Sequence, residues 1–475
     1  SPGPESVLLF CRSSDIFKLM TRFILTWLLI LAGGVLGSCS STKQATKGPS
    51  ERPYKVEAVK RYVDGLINEL TGNPDAALRD YQVAVLLDST SNTMYASLAD
   101  QYALGGQTEK SLGVVQKILS ANPTHIGALE ILAELRIQSH DFNGAVETLE
   151  KIAEIKPGDI DAHYRLITIY EVQQKFAEAA VHYETLLRLL GPNTLLYLKL
   201  GDLFMKMKQY TKAAAVFREA RASDPNNYFV LEALGQACEF NKQIPEALEA
   251  YEALAVLQES NHLVFFKIGS LALQIGDMAK AERAFKSADA LRADVPEVQR
   301  SIAYALDRQN KRDDAILYYE KALRLNERDV LSMTLLAPLY QDKAWTRRAD
   351  SLFERILELE PDNDLILNNY SYSLAQRNLQ LDKALRLVQR ALKKEPKSSH
   401  YLDTIGWVYF QMGLYDLALK YIRQSLEFNP DSWEVLDHLG DVYQKLNRTS
   451  DAQTQWKKAL DLNPDHEGIR KKLRQ

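Results

Sequence analysis

At 475 residues the chain is long enough for several domains, and its 58 basic against 62 acidic residues leave a formal charge of −4, which excludes the positive excess that nucleic-acid binding needs. Three cysteines, Cys11, Cys39 and Cys238, are too few for a disulfide framework. No His-Glu-x-x-His, Gly-x-Ser-x-Gly, phosphate-cradling glycine loop or paired-cysteine motif occurs, so no catalysis, cofactor, metal or small-molecule substrate is expected.

Residues 1–19 precede Met20 and read as an upstream extension outside the native protein. From Met20 a short basic start leads into an apolar run, Phe23 to Val35, and then Leu36-Gly37-Ser38-Cys39. The run falls short of the about 20 residues that span a bilayer, so residues 20–38 are predicted to be a secretory signal. Leu-Gly-Ser-Cys resembles the bacterial lipobox, which implies that the Cys39 thiol is acylated and opens the mature protein. Ser40 differs from the Asp that resembles an inner-membrane retention signal, which implies an outer-membrane address facing the periplasm. Residues 39–57, polar and carrying Pro49 and Pro53, are predicted to form a flexible linker behind the lipid.

Beyond the linker the chain repeats itself. A small residue recurs at Ala77, Ser111, Ala145, Ala179, Ala213, Ala247, Ala281, Ala315, Ala349, Ala384, Ala418 and Ala452, each followed four places on by a bulky apolar one, as in Ala213 and Phe217. Every interval is 34 residues except the 35 from Ala349 to Ala384. A fixed period of this length is the signature of one supersecondary unit stacked many times. Twelve places before the small residue stands a second, among them Gly65, Gly201, Gly235 and Gly269, and two small residues facing each other let two helices approach closely. A proline such as Pro225 or Pro430 closes most units. Cys238 falls on a core position and is predicted to be a buried thiol.

Units such as Leu200-Gly201 through Phe217, Ala220 and Pro225 resemble the tetratricopeptide repeat. The resemblance implies an all-α fold, an α-solenoid (superhelix) of about twelve 34-residue helix-turn-helix units over residues 58–466, treated as one elongated domain, with 467–475 as a C-terminal cap or tail. It also implies that function lies on the concave groove of the first helices, at residues three before and one, four and five after the first small position. Those offsets select an acidic set that includes Glu134, Asp161, Glu239, Asp342, Asp403, Glu434, Asp437 and Asp441, opposed by Lys206, Arg300, Arg308 and Lys445. Aromatic residues are interleaved, and the candidate partner-binding residues are Arg300, Tyr304, Arg308, Tyr372, Asp403, Trp407, Phe410, Asp437 and Asp441. Asp437 and Asp441 share a helix face and could flank a cation, but carboxylates on a solvated groove are the plainer reading. The side chains of Asp403, Trp407, Asp437 and Asp441 are expected to point away from the core.

Near the C-terminus, Asn369-Tyr370-Ser371-Tyr372, Tyr401-Leu402-Asp403-Thr404-Ile405-Gly406-Trp407 and His438-Leu439-Gly440-Asp441 resemble the C-terminal block of large tetratricopeptide lipoproteins of Gram-negative envelopes. Some of that group are adaptors of a periplasmic carboxyl-terminal processing protease, and others are implicated in envelope or pilus assembly. The expectation is a non-catalytic, lipid-anchored scaffold or adaptor that binds a protein partner, such as a periplasmic protease or an envelope assembly factor, in an acidic, aromatic-studded groove. The alternative is a structural subunit of an outer-membrane or pilus biogenesis complex.

Overall fold

A computed structural model describes residues 56–474. The upstream extension, the signal, Cys39 and nearly all of the linker lie outside the described residues. Val56 and Glu57, expected in the linker, already open the first helix, Val56–Leu70; periodicity locates the middle of a helix better than its ends.

Among the described residues there are 25 helices and no strand. They form twelve antiparallel-type pairs and one short closing helix, Glu467–Lys472. The described residues divide into two compact units, one up to Ala121 and one from Asn122 onward. A repeat array has no common core to cut, because each pair packs only on its neighbours. The first unit holds the pairs Val56–Leu70 with Pro74–Leu87 and Asn92–Leu104 with Thr108–Ala121, around Ala77, Tyr81, Ala84, Met94 and Leu98. The second holds ten pairs from Ile126–Gln138 onward and the closing helix.

Within a pair the small positions do what their spacing implies. Ala213 on Tyr210–Ser223 is fully buried, and four residues on, Phe217 lies across Gly201 of Thr194–Lys206 so closely that a Cβ on Gly201 would overlap the ring. The same relation joins Gly269 to Phe285 and Gly440 to Trp456. Phe217, Phe285 and Tyr319 are each at most 1 % exposed, so these rings are the principal apolar mass of their pairs. Replacing Ala213 with Leu is therefore expected to overpack the contact and cost about 1–3 kcal/mol, whereas Glu219→Leu, on an exposed position of the same helix, should cost little. Thermal melts of the two variants decide it, since equal melting temperatures would mean that Ala213 is not a close-packing position.

The turn inside each pair has a feature that composition conceals. One residue per unit takes a left-handed backbone, at Gly72, Gly106, His140, Gln174, Lys208, Lys242, Gly276, Asn310, Ala344, Asn378, Gly413 and Asn447. The following N–H reaches back to close the first helix, as in Gln107 N–H to Tyr102 O at 2.8 Å and Trp345 N–H to Tyr340 O at 2.8 Å, the Schellman pattern of a helix C-terminus. The 35-residue unit takes a second left-handed residue, Gln380, directly before Leu381–Lys394. The extra residue is thus absorbed in the turn, and the helices on either side keep their pairing.

Candidate functional site

Three first helices carry the C-terminal candidates: Asp364–Gln376, Ser399–Gln411 and Trp433–Lys445. Each starts where the chain supplies a polar residue, with Asn363 and Ser432 accepting from the Ile366 and Val435 N–H groups. Successive first helices place Asp403 and His438 side by side, although they are 35 residues apart.

That pair departs from expectation. Asp403 is buried, and its two oxygens accept from His438 Nδ1 at 3.0 and 3.1 Å. The His438 ring is itself buried and stacks on Trp407, with centroids 4.1 Å apart and planes 20° from parallel. Trp407 stacks in turn on Phe410 at 4.7 Å, and Phe410 meets Tyr415 at 5.6 Å. Burial alone would push the His438 imidazole down, but the charge and hydrogen bond of Asp403, followed by Asp437 and Asp441, outweigh it and hold His438 above its ordinary value. An imidazolium over the Trp407 face is a cation–π arrangement. Tyr372 completes the cluster 6.4 Å from His438, its hydroxyl pushed up by burial and then by Asp403.

Asp403 and Trp407 therefore do not simply point away from the core. Trp407 packs against the buried cluster that runs from Ala272 to Val408, and its Nε1 is buried without a hydrogen-bond partner. A carboxylate turned inward is tolerable only because a basic ring meets it.

Asp437 and Asp441 do flank a cation, and that cation is part of the chain. Lys472 of the closing helix donates to Asp437 Oδ1 at 2.8 Å and to Asp441 Oδ2 at 2.7 Å. Burial raises the Asp441 carboxyl; Lys472 pulls the other way, the Asp437 charge adds to burial, and the net direction is up. Ile469, fully buried, fastens the same helix to Val435, Leu439 and Trp456. The segment expected as a cap or tail is thus a helix that reaches the candidate site.

The Arg300, Tyr304 and Arg308 group lies on a separate helix, Pro296–Arg308. Arg300 is engaged: its Nη1 is 2.6 Å from Asp329, which also accepts from Ser332 N–H and Oγ at the start of Val330–Asp342. Burial would raise the Asp329 carboxyl, but the Ser332 bonds and Arg300 hold it low. Arg300 accordingly fixes the junction to the next helix. Tyr304 is half-buried and Arg308 exposed.

The groove is also less acidic than the selected offsets suggest. Arg165 bridges Asp161 at 2.7 Å and Glu134 at 3.0 Å, and Lys267 meets Glu239 at 3.0 Å. Arg165 and Lys267 stand two places before Ile167 and Gly269, and Lys472 stands two places before the position 34 residues beyond Gly440. That offset was outside the set used to read the groove, so the cations were missed; the period itself would have found them. Asp342 is paired from a second helix, by Arg312 at 2.7 Å. Cys238 is fully buried and its thiol is pushed up to about 11, by burial first.

Tetratricopeptide-repeat family models match the overlapping segments 198–263, 239–296 and 266–330, and also 399–432 and 434–466. Tetratricopeptide repeat protein 21B of Xenopus laevis is 24 % identical over 217 residues, which is 45 % of this chain and 16 % of that protein. Tetratricopeptide repeat protein 21A of Mus musculus is 22 % identical over 336 residues, 67 % of this chain and 24 % of its own length. The chain therefore spans at most about a quarter of these two relatives. Among solved structures, that of Naa15/Naa10 bound to HypK-THB superimposes with a TM-score of 0.46 at 14 % identity, covering 84 % of this chain and 67 % of the other. The chain thus carries tetratricopeptide repeats and is similar to proteins named for that repeat.

Proposed function

We propose that the chain is a non-catalytic protein-interaction scaffold, held at the outer membrane by an acyl group on Cys39 and facing the periplasm. Its partner, a protease, a protease substrate or an assembly factor with a basic surface, docks on the first-helix faces between Asp364 and Lys445. The observation that supports this reading is the stack of Phe410, Trp407 and His438 beside the Asp437 and Asp441 carboxylates. Rigid aromatic faces next to desolvated charge are the composition of binding hot spots, and the charges favour encounter with a cationic surface. Lys472 holds the two carboxylates in the free protein, so a basic side chain of the partner takes the place of that ammonium.

The test is capture of periplasmic proteins by the full chain and by two variants, with melting temperatures recorded alongside. Trp407→Ala is expected to weaken capture by about 2 kcal/mol or more, roughly thirtyfold. Lys472→Ala frees the carboxylates and is expected to strengthen capture at low salt, with a steeper salt dependence. Equal capture by the wild type and both variants would move the binding surface elsewhere. Anchoring is tested separately, because Cys39→Ala should move the protein from the membrane pellet to the soluble fraction, and continued sedimentation with membranes would count against acylation.

A further inference from the structure

A histidine pair, remote in sequence from the candidate site, lies inside the fourth repeat. His163, buried on Ile160–Val172, has its Nδ1 3.0 Å from Nδ1 of His182 on Phe176–Leu190, and its Nε2 is 3.0 Å from the Pro157 carbonyl oxygen. The carbonyl only accepts, so His163 Nε2 carries a hydrogen and its Nδ1 is a bare acceptor. His182 Nδ1–H then donates to it. One added proton fits at His182 Nε2 without disturbing this bond. A second has only His163 Nδ1 left, which would set two N–H groups head to head across 3.0 Å.

We propose that this pair is a proton-operated joint: in acid, its second protonation separates Ile160–Val172 from Phe176–Leu190 and opens that repeat locally. The surroundings offer little relief. Burial first, and then the repulsion that a charge on His163 would add, hold the His182 imidazole low, with only Glu150 of Phe142–Ile155 opposing. Glu150 is already engaged by the Tyr170 hydroxyl, Tyr170 stacks on His182 at 5.7 Å, and Lys175 lies 5.9 Å from the Tyr170 ring. Glu178 acts on Tyr170 rather than on the pair, and at the turn Asp159 is taken by Lys156 at 2.8 Å.

The unfolded segment binds both protons below about pH 6.5, whereas the closed pair binds at most one. Opening should therefore rise as pH falls, by up to about tenfold per pH unit below 6.5. Hydrogen exchange of the full chain at pH 7.5 and 5.5, corrected for the intrinsic rate of each amide, reads this directly. Residues 157–190 should lose protection at pH 5.5 relative to the repeats from 194 to 291. In His182→Gln the amide can turn either end toward His163, so the extra opening in acid should vanish while protection at pH 7.5 is kept. An acid response that is the same in His182→Gln as in the wild type would overturn the proposal. So would a flat wild type, or protection that responds to micromolar zinc ion but not to pH.

Discussion

Asp403→Ala is expected to destabilise the C-terminal repeats by about 3–5 kcal/mol, because it strands a buried imidazolium rather than removing a surface charge. The effect has a pH signature. His438 is held above its ordinary value in the folded chain, so the stabilisation it contributes is fully present below about pH 6.5 and is lost as pH rises through the raised folded value. The penalty of Asp403→Ala should accordingly be largest near pH 6 and shrink toward pH 9 to the extent that the ring loses its charge. Replacing both partners by apolar residues, Asp403→Leu with His438→Leu, should cost less than Asp403→Ala alone. Hydrogen exchange across residues 399–445 at the two pH values measures it, and a penalty that does not change with pH would show that His438 carries no charge in the fold.

The second large effect belongs to the contact between Gly201 and Phe217. Phe217→Ala empties a site that is 1 % exposed and should cost about 3–5 kcal/mol. Gly201→Ala alone should also destabilise, since the added Cβ meets the Phe217 ring. In the Phe217→Ala background the same Gly201→Ala change becomes favourable, by up to about 1 kcal/mol, because the obstacle is gone and alanine is the better helix former. A double-mutant cycle by denaturant unfolding should thus show a change of sign. Additive effects would mean that the two residues do not touch.

The ring over Gly201 was legible in the sequence because it depends only on size at a fixed spacing: a small residue, then a bulky one sixteen places on. The left-handed turn residue was not, because the backbone there imposes a conformation and not a chemistry. Gly106, His140, Gln174, Lys208 and even Ala344 all adopt it, at a cost of about 1–2 kcal/mol for a residue with a Cβ, which the closing hydrogen bond and the packing of both helices offset. Asp403 shows a third case. An offset table can say that a position faces the groove, but whether a carboxylate there is wet or buried depends on which residue the next repeat sets against it. His438 turned it inward, and Lys472 engaged Asp437 and Asp441 from the closing helix, at the same repeat offset as Arg165 and Lys267.

The turn at Asn378 to Gln380 has a practical consequence. Leu379 and Gln380 are exposed, and this unit has already accommodated one residue more than the others while the helices on either side, Asp364–Gln376 and Leu381–Lys394, remain packed against each other. Chain length is therefore negotiable at this point, as loop-closure entropy allows. It is the natural place to insert an epitope tag or a fluorophore-bearing peptide, reporting on the C-terminal repeats from within the array and leaving both chain ends untouched.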